Sequence, residues 1–153
     1  MIIAIIYLRL VVSVNEQFLK KIYDLSVESF NLDEIPVGAI VVKNGEIVGV
    51  GINSREREKS VIGHAEINAI NDACRFIGDW RLDECEMYVT LLPCMMCAGA
   101  IYESRIKKVY YLCDRTNVCY DTGKYINVEK IDNTEYEDKY LKMFRLFFEN
   151  KRN

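Results

Sequence analysis

Val37-Gly38-Ala39-Ile40-Val41-Val42-Lys43-Asn44-Gly45-Glu46-Ile47-Val48-Gly49-Val50-Gly51-Ile52 is the stretch that decides the fold. Two apolar runs flank Asn44-Gly45, and Asn-Gly supplies the two positive φ angles of a type I′ turn, so the segment predicts a β-hairpin. Upstream, Phe18, Ile22 and Leu25 share one helical face with Lys20, Lys21 and Asp24 turned away, which predicts a helix from about residue 15 to 30. Ser13-Val14-Asn15-Glu16 reads as a capping box at its start. Downstream, residues 53–63 are polar and suit a loop. A second helical pattern covers residues 64–76 and stops at Gly78. Met87-Tyr88-Val89-Thr90 and Val109-Tyr110-Tyr111-Leu112 read as strands, and Pro93 opens a helix over residues 94–104, proline being tolerated in a first turn. Residues 113–130 read as irregular. Tyr136, Tyr140, Met143, Phe144 and Phe147 predict a terminal helix over residues 135–150. Helices alternating with strands after an initial hairpin argue an α/β fold with one mixed sheet and helices on both faces.

At 153 residues, with 50% hydrophobic and 28% charged, the chain fits one globular domain that needs no disulfide staples. We divide it into a hydrophobic N-terminal extension, residues 1–12, and a single domain, residues 13–153. The extension is too short, and too charged at Arg9, to span a bilayer; a signal peptide would carry its positive charge first and a small-residue cleavage site after. A cytoplasmic protein with no membrane association is the expectation, the extension being an added strand or a product of start-site choice. Lys+Arg 20 against Asp+Glu 23 gives a net charge of −3, so a nucleic-acid partner would have to be held by a local patch rather than by bulk charge. Six unevenly spaced cysteines without a secretion signal read as reduced thiols, some of them ligands. The single histidine excludes any chemistry that needs two imidazoles.

Gly63-His64-Ala65-Glu66 and Leu92-Pro93-Cys94-Met95-Met96-Cys97 each sit where a loop turns into a helix. Cys94 and Cys97, three apart, face one side of a first turn, where the helix dipole favours thiolate. With His64 they make three ligands for a tetrahedral Zn²⁺, leaving the fourth position for water as catalytic sites do. Glu66, two residues past His64, points elsewhere on its turn and suits a proton carrier. Attack of water on an amidine-like carbon of an aminopurine or aminopyrimidine, with loss of ammonia, is the chemistry such a set serves. Other readings remain beside this one. The CxxC could be a redox pair, although no proline follows it. A structural zinc could recruit Cys74, Cys85, Cys113 or Cys119, which otherwise read as buried packing residues.

His64-Ala65-Glu66 followed thirty positions later by Pro93-Cys94-x-x-Cys97 resembles the H-x-E…P-C-x-x-C signature of zinc-dependent nucleobase deaminases. Glu34-Ile35-Pro36-Val37-Gly38-Ala39, Gly51-Ile52-Asn53, Tyr88-Val89-Thr90, Cys97-Ala98-Gly99-Ala100-Ile101, Ser104-Arg105-Ile106 and the terminal Phe147-Phe148 are similar to blocks of the bacterial tRNA adenosine deaminase branch. The resemblance implies a three-layer α/β/α sandwich of the cytidine deaminase type with about five strands, usually dimeric. It implies zinc on His64, Cys94 and Cys97, and Glu66 as general acid/base. It also implies that the Asn53 amide reads the ring edge, that the Ala65 N–H meets the substrate, and that Asp114 contacts RNA. Asn53 reads equally as a turn residue closing the hairpin.

The chain departs from that branch in two places. Leu92 stands where a glutamate is usual, and Asp114-Arg115-Thr116-Asn117-Val118-Cys119-Tyr120 replaces a loop rich in small residues that lies along the anticodon. The leading expectation is hydrolytic conversion of adenosine to inosine at the wobble position, with the tRNA anticodon stem-loop as partner. Arg55, Arg57, Lys59, Arg105, Lys107, Lys108, Lys151 and Arg152 could form the patch it needs, or be ordinary solvated charge. The alternative is a deaminase of a free nucleobase or nucleoside such as cytosine or guanine. A third reading, a non-catalytic partner subunit, leaves Glu66 unexplained.

Overall fold

The computed structural model describes residues 2–116 and 118–152, and for residues 2–15 the backbone course alone. The hairpin forms as expected from β1 (Gly38–Lys43) and β2 (Glu46–Ile52), with Asn44 at φ +51° and Gly45 at φ +79° in the turn. A register shift between Val41 and Val42 bulges the pair. β3 (Cys85–Leu91) lies antiparallel on the other side of β1, and β4 (Lys108–Cys113) runs parallel to β3. The spatial order is β2-β1-β3-β4-β5, five strands in all. The fifth, β5 (Val128–Lys130), lies inside the stretch read as irregular. Its three residues carry no alternation long enough to mark a strand; the parallel edge of β4 recruits them.

α1 (Ile2–Asn31) and α5 (Thr134–Arg152) touch one another and cover one face of the sheet, while α3 (Ala65–Ile77) and α4 (Met95–Glu103) cover the other. This is the expected α/β/α sandwich. Glycines set the layer spacing at two points. A Cβ on Gly38 would sit 2.6 Å from Leu25 Cβ in α1; one on Gly51 would run into the Ala65 carbonyl and lie 2.5 Å from the Ala69 amide nitrogen in α3. Both helices therefore approach the hairpin at backbone distance.

Three local expectations change. The first helix begins at Ile2, so the extension is helical rather than an added strand: its apolar run holds no Gly or Pro to end a helix and continues straight into the amphipathic pattern. Ser13 is thus inside a helix, and its capping side chain lies outside the described residues. The loop after β2 contains a single helical turn, α2 (Arg55–Glu58). Among the described residues no helix is long and apolar enough to cross a membrane.

The topology brings the chemistry to one edge. Because β1 alone runs opposite to β2, β3 and β4, the start of β1 and the carboxyl ends of β2, β3 and β4 meet there. Open α/β sheets bind ligands at that position.

Candidate active site

His64 is the N-cap of α3 and Cys94 the N-cap of α4, both in extended conformation just before a helix. Their positions follow from chain punctuation. Gly63 lets the loop fold back so that the Ser54 N–H donates to the Gly63 carbonyl at 2.8 Å, and Pro93 presets the turn into α4. The two helix starts converge, with Cys94 Sγ and Cys97 Sγ each 3.5 Å from His64 Nδ1. All three donor atoms lie within 4.8 Å of one another, and among the described residues no other His, Cys, Asp or Glu group gathers in this way.

The donors tune one another. A hydrogen bond from Cys97, reinforced by His64, pulls the Cys94 thiol down to about 3. The same shared proton, with burial, pushes Cys97 up, and the Cys94 contact raises His64. A soft divalent cation displaces such protons, and an N/S₂ donor set fits zinc. Glu66, 2% exposed in the first turn of α3, has its carboxyl pushed up by burial.

A cleft of about 160 Å³ opens over these groups, lined among others by Asn53, Arg55, His64, Ala65, Glu66 and Arg115. A cavity of about 150 Å³ admits a flat aromatic molecule. Asn53 is 4% exposed, and its Oδ1 has no protein partner, which leaves an amide acceptor turned to a ligand. Ile35, Val37, Leu91, Phe144 and Phe148 supply apolar walls. One wall is fixed from below by Glu34, fully buried, whose carboxylate accepts from the amides of Glu56 at 3.1 Å and Arg57 at 2.7 Å in α2. The other wall is strapped to the turn before Cys94. Arg115 Nε donates to the Leu92 carbonyl at 3.3 Å, and the Tyr120 hydroxyl donates to the Pro93 carbonyl at 2.7 Å.

Of the residues named from sequence, His64, Cys94, Cys97, Glu66, Ala65 and Asn53 come together. Asp114 does not line the cleft; its carboxylate pairs with Lys130 at 2.8 Å and accepts from Tyr111 at 3.2 Å. Its neighbour Arg115 takes the cleft position instead. Arg115 was flagged only as part of a loop that breaks the branch pattern, and that departure was the available signal. Phe144 and Phe148 face the cleft, whereas Phe147 is buried against Phe30, centroids 6.2 Å apart. Most of the supposed basic patch is neutralised. Arg57 pairs with Glu34, Arg105 with Asp83, Lys107 with Glu84, Lys108 with Glu129 and Lys151 with Asp33, leaving Arg55, Lys59 and Arg152 without ion pairs among the described residues. Cys85 and Cys113 are buried as expected, Cys74 is half-buried, and Cys119 is exposed rather than packed.

The sequence profile of the cytidine and deoxycytidylate deaminase zinc-binding region matches residues 12–113. The chain belongs to this family. A tRNA-specific adenosine deaminase of Bacillus subtilis is 42% identical over 97 residues, covering 63% of this chain and 60% of the relative. A guanine deaminase of the same organism is 39% identical over 104 residues, 67% of each. A solved structure from work on A-to-I editing by tRNA:A34 deaminases superposes with a TM-score of 0.73 at 27% identity, covering 82% of this chain and 99% of that one. The chain spans between 60% and 64% of the length of the first two curated tRNA deaminases it matches. The deaminase family and its fold are therefore common ground for all these relatives, while their substrates differ.

Proposed function

We propose that the protein hydrolytically deaminates adenosine to inosine at the wobble position of tRNA. The observation that carries the deaminase chemistry is the convergence of His64, Cys94 and Cys97 beside the buried Glu66 at a base-sized cleft. The adenosine and tRNA assignment rests on likeness to the tRNA adenosine deaminases. In this reading His64, Cys94 and Cys97 hold zinc, which when bound activates water for attack on the amidine carbon. Glu66 takes one proton from the water and delivers it to the ring nitrogen, then takes the second from the hydroxyl added to the carbon and gives it to the departing amine, which leaves as ammonia. Burial suits Glu66 to this exchange, since desolvation makes its carboxyl a better proton acceptor than an exposed one. The Asn53 amide holds the ring edge, the Ala65 N–H meets the substrate, and the apolar walls keep bulk water from the reacting carbon. Asp114, exposed off the cleft wall, is in this reading a contact to RNA outside it. Residues 13–153 act as one deaminase domain with residues 1–12 outside it, and the protein works in the cytoplasm without a membrane.

A second copy of the chain is the partner assigned to the outer face of α4. Met95, Tyr102 and Tyr125 are more than half exposed there, around an apolar hollow of about 380 Å³. Sedimentation should give a homodimer, and a monomer at micromolar concentration would sink this part.

A second substrate reading, deamination of a free base such as guanine, is favoured by the bulky Arg115–Tyr120 wall and by the guanine deaminase relative. Purified protein incubated with an anticodon stem-loop carrying A34, and separately with adenine, guanine, cytosine and their nucleosides, decides between the two. Inosine in the RNA is the expected product. Ammonia from free bases with none from RNA would reverse the assignment.

A further inference from the structure

Arg55 and Arg115 are the two cations that line the catalytic cleft, Arg55 at the start of α2 and Arg115 on the segment after β4. Neither forms an ion pair among the described residues, whereas Arg57, two residues from Arg55, pairs with Glu34. Arg115 is half-buried, and its Nε is committed to the Leu92 carbonyl at 3.3 Å. That bond fixes the guanidinium plane and leaves both terminal nitrogens for a ligand. The segment is held down further by the Tyr120 and Thr122 hydroxyls on the Pro93 carbonyl, at 2.7 and 3.5 Å. Arg115 feels the charge of the buried Glu66 without pairing with it, so a ligand anion at the cleft would supply the direct partner it lacks. The cleft, at about 160 Å³, has room for little more than a base, so the phosphate of a substrate would lie outside it, within reach of the two arginines that line its wall.

We propose that Arg55 and Arg115 form a phosphate-ester clamp, so that the site selects a base carried on a phosphorylated ribose over a bare base. Guanidinium forks match phosphate oxygens in a bidentate way, and two of them on opposite walls can bracket the phosphates flanking one nucleotide. The clamp rests on the deaminase chemistry proposed above but not on tRNA as the source, because a phosphodiester in an RNA strand and the phosphate of a nucleoside monophosphate present the same group. It also accounts for a net-negative protein taking a polyanion: two placed charges replace a broad patch.

The test measures kcat/KM of the zinc-loaded protein on the A34 stem-loop, adenosine 5′-monophosphate, adenosine and adenine, over a range of salt. Wild type is compared with Arg55→Gln, Arg115→Gln, Arg115→Lys and the charge-matched Lys21→Gln on α1. The expected result is a loss of tenfold or more for each glutamine variant on a phosphate-bearing substrate, beyond any loss on adenosine. With the stem-loop, the salt slope should fall by about 0.7 for each arginine removed. Arg115→Lys should keep that slope and recover part of the loss, and Lys21→Gln should match wild type. If Arg115 served only as counter-charge to the site, all substrates would slow alike and the slope would stay, which overturns the clamp. RNA turnover with unshifted variants overturns the clamp and leaves the tRNA assignment standing. Arginine-dependent turnover of the monophosphate without RNA turnover does the reverse. Turnover of bare bases alone overturns both. Arg55 is exposed, so its variant reports even if Arg115→Gln unfolds.

Discussion

The two walls of the cleft are built on different principles. The wall from Asn53 to Glu66 is held by main-chain fit: Gly51 lets α3 press on β2, the buried Glu34 carboxylate takes two amides of α2, and Ser54 closes onto Gly63. The wall from Arg115 to Thr122 is held by three side chains reaching two carbonyls, those of Leu92 and Pro93. The first wall carries His64 and Glu66 and tolerates little change. The second carries none of the three donors and meets the turn before Cys94 through side chains alone.

The most severe break in the first wall is Glu66→Gln. It should keep the fold and zinc, read by metal analysis, and lower kcat by about 10²- to 10⁴-fold, read by inosine formation. Retained turnover would remove Glu66 from the reaction. Gly51→Ala should cost about 1–3 kcal/mol in a denaturant melt, because neither the Ala65 carbonyl nor the Ala69 amide can step aside. Glu34→Ala leaves two amides beneath the cleft unpaired and should cost a similar 1–3 kcal/mol, with a rise in KM as Asn53 and Arg55 lose their support. In the second wall, Tyr120→Phe removes one neutral hydrogen bond, should cost about 1 kcal/mol or less, and should shift KM with zinc content unchanged. A melt as damaged by Tyr120→Phe as by Gly51→Ala would erase the distinction between the walls.

Legibility in the sequence followed the same division. The hairpin was readable because Asn44-Gly45 specifies its turn locally, and α3 because Gly78, at φ +78°, stops it. The metal donors were readable because the spacing of His64, Cys94 and Cys97 carries its own chemistry. β5 was not, since three residues become a strand only when β4 offers an edge. The basic patch stays open in the sequence for a related reason: Arg105, Lys107 and Lys108 look alike in a list of charges, and only folding shows that Asp83, Glu84 and Glu129 pair with them. Asp114 and Arg115 are adjacent, so sequence could not say which faces the cleft; the twist of the chain leaving β4 turns Asp114 to Lys130 and Arg115 inward.

The sequence by itself determined the α/β architecture, the deaminase signature and the three donors with their neighbouring carboxylate, because turn chemistry, helix punctuation and ligand spacing act over a few residues. Only the tertiary structure decided that the cleft has about the volume of a base, that Glu34 underpins it, and that Arg55 and Arg115 are its cations without ion pairs among the described residues. Those properties depend on which groups meet across the sheet edge, and burial and charge pairing are set by neighbours that are distant in the chain.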